Sequence, residues 1–189
     1  FSKKWYKKIL NNGNLHSVRD SYTEKKLKEI GIKNIVNTAC PTMWNLTEEF
    51  CKQIPRKKAK YVITTVTDYR QDKKYDNDMQ YIKSLITNYN SLSLIPNSLD
   101  MYNEILQKYE IDYVGTRLHA GIHALNYKRR TVIIAVDNRA IEIAKDTNLP
   151  IIKREDCFKK LKFTIDSEFE TQIHLPLDKI EMWKNQFTH

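Results

Sequence analysis

The segment spanning residues 112–125, DYVGTRLHAGIHAL, limits the fold of this chain more than any other part of it. A short apolar run turns at Gly115, and Thr116 follows as a residue type that caps helix N-termini well. Apolar residues then recur at the spacing of one helix face: Leu118, Ile122 and Leu125. The segment therefore predicts a strand, a glycine turn and a helix capped by Thr116, which is the repeating unit of α/β folds.

The polar residues of this segment gather at the predicted helix start. Arg117 and His119 fall near its first turn, and His123 follows one turn later. The unpaired N–H groups of a helix N-terminus attract anions, and a guanidinium binds carboxylate or phosphate through two hydrogen bonds. Arg117 and His119 are therefore candidates for an anion site, with an exposed arginine and a structural histidine as the ordinary alternative. The two histidines have metal-ligand spacing, but Ala120 stands where a zinc-protease motif needs glutamate, so we expect no metal.

Strands and helices alternate along residues 61–153, the pattern of a parallel sheet that helices cover on both faces. Apolar and β-branched runs predict further strands at 61–67, 91–95, 131–136 and 150–153. Helical periodicity predicts helices at 73–89, 101–108 and 140–147. The small residues Ala120, Gly121 and Ala124 allow the helix after Gly115 to pack closely against its neighbours.

Two more helices are predicted outside this alternating region. Residues 2–10 are predicted to form an amphipathic helix in which Trp5, Ile9 and Leu10 face inward. Residues 176–187 form a final helix, and between residues 153 and 176 the pattern is too weak to predict an element.

A second strand-to-helix corner lies near the start of the chain. Residues 15–18 read as a short strand, and an S-x-x-E capping box at Ser21 opens the helix that follows. Arg19 therefore occupies a corner like that of Arg117, and open α/β sheets place ligands at such corners. The alternative is that Arg19 pairs with Asp20 or with a glutamate at the surface.

Charge and cysteine content exclude several classes of protein. The formal charge of +9 comes from scattered basic residues, and the densest runs, 56–60 and 128–130, lack a nucleic-acid motif or an aromatic platform. A lysine-rich solvated surface is therefore favoured over a nucleic-acid interface. No apolar run is long enough for a transmembrane helix. Three separated cysteines without a CxxC pair argue against disulfides and zinc, and we interpret Cys40 as a small buried residue rather than a reactive thiol.

Two segments resemble one protein family. The string VGTRLHAGIHAL at 114–125 is similar to the RLHA segment of the polysaccharide pyruvyl transferases. The string VRDSYTEKKLKEIGIKNIVNTACPTMW at 18–44 resembles the upstream pattern of that family, in which an Arg-Asp/Glu-Ser sequence precedes a helix, a strand and a Cys/Asp-Pro turn. The two segments occur in the family's order, and the resemblance spans roughly residues 15–150.

The resemblance implies transfer of a pyruvyl group from phosphoenolpyruvate to two hydroxyls of a sugar, which forms a cyclic ketal and releases phosphate. It implies that Arg19 and Arg117 hold the donor's carboxylate or phosphate and that His119 is the general acid–base. Because Leu118 is part of the RLHA motif, the resemblance implies that it also contacts the substrate. After the next strand the family often has a lysine, and we expect Arg139 to take its place.

The same resemblance implies no cofactor besides the donor substrate, and a sugar or glycan acceptor, free or lipid-linked. We expect a cytoplasmic enzyme, free or peripheral to the membrane, with no nucleic-acid partner. The implied fold is similar to the two-lobed glycosyltransferase-B arrangement. Residues 57–189 would form its Rossmann-like C-terminal lobe, and residues 1–56 a remnant of a truncated first lobe, which makes this length of chain a candidate for an inactive fragment.

Two other classes of function stay open. A nucleotide-sugar glycosyltransferase of the same architecture would use the anion site at Arg117 and His119 for a diphosphate. A non-catalytic basic binding module would bind nucleic acid in a salt-dependent way that does not require His119.

Overall fold

The computed structural model of the protein describes residues 3–65, 80, 89, 91–93 and 98–188. Its strands are β1 His16–Val18, β2 Ile35–Asn37, β3 Tyr61–Thr64, β4 Ser91–Ser93, β5 Ile111–Gly115, β6 Thr131–Ala135 and β7 Ile151–Lys153. Its helices are α1 Lys3–Leu10, α2 Ser21–Glu29, α3 Glu48–Cys51, α4 Leu99–Lys108, α5 Leu118–Asn126, α6 Asn138–Thr147, α7 Cys157–Asp166 and α8 Leu177–Asn185. The predicted helix at 73–89 lies outside the described residues, apart from positions 80 and 89.

Five of the strands form a parallel sheet in the order β4-β3-β5-β6-β7. The chain adds β4 on one side of β3 and then crosses to β5 on the other side. Ligands of open α/β sheets bind beyond the carboxyl ends of the two strands where the order reverses, which here are β3 and β5. Strands β1 and β2 form a separate parallel pair.

Alternate residues of β3, β5 and β6 face two different hydrophobic clusters. On one face, Ile63, Tyr113 and Ile133 pack with side chains of α4, α5 and α6. On the opposite face, Val62 and Val132 pack with side chains of α7. The predicted α/β fold, a parallel sheet with helices on both faces, is therefore confirmed, and its strand order and coverage are Rossmann-like.

The N-terminal elements pack against the five-stranded part of the molecule. The carboxylate of Asp146 on α6 accepts hydrogen bonds from the backbone and hydroxyl of Ser21 and from Asn37 Nδ2. Met43 and Leu46 are fully buried in the same cluster as the sheet residues. Residues on both sides of position 56 thus share one core, while the two-lobed arrangement and the boundary at residue 56 stay predictions.

The predicted helix caps differ from the observed ones. Helix α5 is capped by Arg117 in an extended conformation, and Thr116 is buried at the end of β5 instead of capping the helix. Helix α2 is capped by Asp20, whose carboxylate accepts from the Thr23 N–H at 2.7 Å. The predicted capping box at Ser21 is therefore wrong by one residue, because the aspartate is the stronger acceptor.

The prediction for the first helix is right about its position and wrong about two of its three inward residues. Trp5 and Ile9 of α1 are 53% and 57% exposed, so they do not face inward, whereas Leu10 is partly buried. Helix α7 forms where no element was predicted. Within the described ranges, no helix is both long enough and apolar enough to span a bilayer.

Two glycines allow α5 and its preceding turn to approach the sheet closely. A Cβ at Gly115 would lie 2.5 Å from the carbonyl oxygen of Thr65 and 2.7 Å from the hydroxyl of Tyr113. A Cβ at Gly121 would lie 2.4 Å from Cγ1 of Ile133. These distances are shorter than van der Waals contact, so both positions require glycine for α5 to start where it does.

Candidate functional site

A cavity of about 660 Å³ opens at the carboxyl ends of the central strands. Thr65 follows β3, Thr116 follows β5 and Val136 follows β6, and all three residues line it. The N-terminal turns of α4, α5 and α6 line it as well. The cavity therefore occupies the place between β3 and β5 where the strand order predicts a ligand.

The buried hydroxyl of Tyr113 ties the two central strand ends together. It donates to the carbonyl oxygen of Arg117 at 2.9 Å, so it accepts from the Thr65 hydroxyl at 2.7 Å, because a phenol carries one proton. Burial raises the pKa of Tyr113 well above its ordinary range, so this proton stays in place at neutral pH. The Thr116 N–H also donates to the Thr65 carbonyl at 3.0 Å. These bonds fix the backbone of Arg117 relative to β3.

The N-terminus of α5 faces the cavity. Its first intrahelical bond runs from the Gly121 N–H to the Arg117 carbonyl at 3.1 Å, and the preceding N–H groups have no acceptor within the helix. Arg117, Leu118 and His119 all line the cavity. The helix dipole and the guanidinium both favour an anion here.

The ring of His119 contacts Cys40. Its Nε2 lies 3.7 Å from Cys40 Sγ, which is also 3.1 Å from the Thr42 hydroxyl. Burial alone would raise the pKa of the Cys40 thiol, but hydrogen bonds with His119 and Thr42 outweigh it and lower the pKa to about 7. Cys40 is buried, as the sequence indicated, but it is also an ionisable partner of the candidate acid–base.

The second histidine of α5 has a different environment. Its Nε2 is 2.6 Å from Asn103 Oδ1, and its ring packs between Tyr102 and Tyr127. Burial lowers the pKa of His123 and favours its neutral form. His123 borders the cavity as a neutral, hydrogen-bonded side chain. In the described part of the chain, no group of three or more His, Cys, Asp or Glu residues is arranged to hold a metal ion.

Arg139, in the first turn of α6, also lines the cavity. Its guanidinium pairs with Asp137, with Nε 2.8 Å from Oδ2, and the same carboxylate accepts from the Arg139 N–H at 3.0 Å. Despite partial burial, this arginine lowers the pKa of Asp137. An anion at Arg139 therefore meets a cation that already has a carboxylate partner.

Arg19 is placed differently from the other predicted site residues. It is not among the residues that line the cavity, and its Nε lies 3.6 Å from Asp20 Oδ2. The neighbouring Ser21 is bonded to Asp146, which is seven residues, or about 10 Å, along α6 from Arg139. Pairing with Asp20, the alternative considered from the sequence, is the arrangement that the structure contains, with Arg19 partly exposed and Asp20 buried.

Four of the five predicted residues thus border one cavity: Arg117, Leu118, His119 and Arg139. Sequence reasoning did not identify the contacts of Tyr113, Thr65 and Cys40. A signal existed for Cys40, because it lies in the second segment that resembles the family and comes shortly after a predicted strand. The contact between Cys40 and His119 depends on tertiary packing, and the spacing of residues along the sequence does not predict it.

Comparison with known proteins identifies one family. The model of the polysaccharide pyruvyl transferases matches residues 1–138, which include both resembling segments and the cavity's α5 side. Searches of curated proteins and of solved structures find no significant match. Since the family match covers most of the 189 residues, the chain belongs to the polysaccharide pyruvyl transferase family.

Proposed function

We propose that this protein transfers a pyruvyl group from phosphoenolpyruvate to two hydroxyls of a sugar in a polysaccharide or glycan, forming a cyclic ketal and releasing phosphate. Membership of the family indicates a transferase that acts on polysaccharides. The observation that carries the finer proposal is the meeting of Arg117, His119 and Arg139 around one cavity at the switch point of the sheet. Its volume is within the range of small-molecule sites.

The donor carries two anionic groups, a carboxylate and a phosphate. Arg117 and the N-terminus of α5 suit one of them, because a guanidinium and free N–H groups favour the same ligand charge. Arg139 suits the other, in competition with Asp137. Arg19 stays a proposed donor contact through the resemblance alone, and it would have to leave Asp20 to act as one.

The reaction moves two protons. The methylene carbon of the enol gains a proton, which leaves a cationic centre at the carbon that bears the phosphate ester oxygen. One sugar hydroxyl attacks this centre and gives up its proton, phosphate leaves, and the second hydroxyl closes the ketal. One hydroxyl proton balances the proton gained by the methylene carbon, and the other departs with phosphate. His119 is the titratable side chain of the RLHA motif at the cavity, and we assign it the general acid–base role.

Thermal-shift titration of the intact protein with phosphoenolpyruvate tests the proposal. A ligand that binds only the folded state stabilises it by about 2.7 kcal/mol when its free concentration is roughly a hundredfold above Kd. We expect this shift with phosphoenolpyruvate and its loss in Arg117→Ala. Stabilisation by nucleoside diphosphates and none by phosphoenolpyruvate would favour a nucleotide-sugar glycosyltransferase. Equal shifts with inorganic sulfate would indicate a general anion effect and would contradict a specific donor site.

A further inference from the structure

Cys40 and His119 come from distant parts of the chain and meet beside the cavity. Cys40 comes shortly after β2, and His119 lies in the first turn of α5, 79 residues later. The Cys40 side chain is only 6% exposed, and its sulfur contacts both the Thr42 hydroxyl and His119 Nε2. His119 lines the cavity, whereas Cys40 does not. The thiol therefore contacts the imidazole without itself lining the cavity.

One proton is shared across this contact. Either the thiol donates to a neutral imidazole nitrogen, or the imidazolium donates to a thiolate, and both forms carry the same number of protons. In both forms Nε2 is occupied by sulfur. The nitrogen that remains for exchange with a substrate is Nδ1, and a neutral imidazole paired with the thiol carries its proton there.

The charged and titratable groups around the pair favour the ionised form of the thiol. Arg117 precedes His119 in the same helix start, and Arg139 faces the cavity from α6. Asp137 opposes this effect only in part, because it is paired with Arg139. Burial lowers the pKa of His123, which favours its neutral form, and burial raises the pKa of Tyr102, which therefore keeps its proton. The pKa of Cys40 is lowered to about 7 because its hydrogen bonds with His119 and Thr42 outweigh the effect of burial.

We propose that Cys40 is a positioning residue for the acid–base of the pyruvyl transfer. Its sulfur fixes the ring of His119 through Nε2, leaves Nδ1 for the substrate, and exchanges one proton with the ring as turnover proceeds. The inference rests on the proposed function for its catalytic meaning, but the proton-sharing pair is a property of the unliganded protein.

The first test of the Cys40–His119 pair does not require an activity assay. NMR of the intact protein with isotope-labelled cysteine and histidine reports thiol ionisation and the protonated ring nitrogen. We expect the Cys40 thiol to titrate near pH 7 in the wild type and at clearly higher pH in His119→Ala, because the thiol then loses the hydrogen bond that most lowers its pKa. Cys40→Ala should change the ring tautomer of His119, while the matched variant Cys157→Ala, on the opposite face of the sheet, should leave it unchanged. A thiol that titrates at its ordinary value in the wild type would overturn the inference.

Kinetics then separate the inference from the proposed function. Cys40→Ser keeps the size of the side chain and removes its ionisation, so we expect kcat to fall on the order of tenfold with a shifted pH profile and an unchanged KM, a smaller loss than removing an acid–base itself causes. Pyruvyl transfer with an unchanged pH profile in Cys40→Ser would contradict the positioning role and leave the proposed function intact. A coupled Cys40–His119 titration in a protein that does not use phosphoenolpyruvate would refute the proposed function and leave the pair intact.

Discussion

His119 is the side chain on which the proposed chemistry depends most directly. Replacing it with alanine removes the proposed proton donor and acceptor but leaves Arg117 and the helix N-terminus. We therefore expect His119→Ala to lower kcat of the intact protein by about 10²- to 10⁴-fold with a small change in the donor's KM. The matched control is His174→Ala, an exposed histidine away from the cavity, which should turn over at the wild-type rate in the same steady-state assay. Full turnover by His119→Ala would refute the assignment.

The second prediction compares Arg117 with Arg19, to which the sequence analysis assigned the same donor-binding role. Arg117 borders the cavity and Arg19 pairs with Asp20 outside it. A lysine keeps the charge and loses the two-pronged hydrogen bonding. We expect Arg117→Lys to raise the KM for phosphoenolpyruvate about tenfold, since one charged hydrogen bond contributes roughly 1.5–3 kcal/mol. Arg19→Lys should change this KM by less than about twofold.

The opposite order of effects would show that Arg19 leaves Asp20 to hold the donor, as the resemblance implies. Donor titrations followed by thermal shift provide the binding readout for both variants. This readout separates a weakened donor site from a slower chemical step.

Local sequence patterns predicted site residues that are adjacent in the sequence, but they did not predict contacts between residues that are far apart in it. Arg117, Leu118 and His119 are adjacent, so their common position followed from one helix start. Arg139 was predicted through the family resemblance, in which a lysine often follows the next strand, and the structure places it at the same cavity. The contact of Cys40 with His119 depends on how residues after β2 pack against α5, and hydrophobic periodicity carries no information about that distance.

Helix α5 lies against the sheet at a position where only a hydrogen fits. Gly121→Ala would place its Cβ within 2.4 Å of Ile133 Cγ1, and Ile133 is itself fully buried. Overpacking of this kind costs about 1–3 kcal/mol, so we expect Gly121→Ala to lower the free energy of unfolding by that amount in urea titrations. The double variant with Ile133→Ala should lose less than the sum of the single variants, because the added methyl occupies space that the isoleucine vacates. Additive losses would contradict the steric explanation.

Helix α7 shows why a real element escaped prediction. Its buried residues, Cys157, Leu161 and Ile165, recur at helical spacing. Phe158 and Phe163 lie on the same helix and are 79% and 75% exposed, so apolar residues occupy both its faces. The hydrophobic periodicity of this segment is therefore weak in the sequence, although one face of the helix is buried in the structure.

The C-terminal end of α7 is held to the sheet by a buried arginine. Arg130 is 1% exposed, pairs with Asp112 at 2.6 Å, and donates to three carbonyl oxygens at the end of the helix: Thr164, Ile165 and Ser167. Its guanidinium also stacks 4.2 Å from the ring centre of Phe169. Arg130→Met leaves the buried Asp112 unpaired, so we expect a loss of about 3–5 kcal/mol in the free energy of unfolding.

The matched double variant, Arg130→Met with Asp112→Leu, removes both charges and should recover part of this loss. Chemical denaturation followed by circular dichroism measures both variants. A double variant no more stable than Arg130→Met would show that the helix-end carbonyls, rather than the unpaired carboxylate, account for the cost.

Across the whole molecule, a few long-range contacts join parts of the chain that local patterns treat separately. The Gln186 side chain after α8 exchanges hydrogen bonds with the backbone of Leu15 before β1. Trp183 of α8 meets the edge of Trp44 at 5.7 Å between ring centroids. The alternation of strands and helices predicted the sheet and its layers, but such contacts between the chain ends follow only from the assembled fold.

A cluster of hydrogen bonds around Asp166 predicts how the free energy of unfolding changes at low pH. Asp166 at the end of α7 accepts from Lys58 Nζ at 2.8 Å, from Lys162 Nζ at 2.9 Å and from the Tyr89 hydroxyl at 3.1 Å. Hydrogen bonds with Lys58, and then with Lys162, lower the pKa of Asp166 from its ordinary value of 3.8 to about 2. The folded state therefore holds this proton more weakly than the unfolded state.

Because the folded pKa is the lower one, the stabilisation by Asp166 is fully present above about pH 4 and disappears as the pH falls towards about 2. The carboxylate is partly exposed, so solvent screening limits its contribution to about 1 kcal/mol or less. We expect Asp166→Asn to lower the free energy of unfolding at neutral pH and to match the wild type near pH 2, as measured by urea unfolding across this range. Glu168→Gln, which removes an exposed carboxylate 3.7 Å from Lys57, is the matched control and should show a smaller difference. A difference between Asp166→Asn and the wild type that persists unchanged at the acid end would mean that the aspartate acts through packing rather than through its charge.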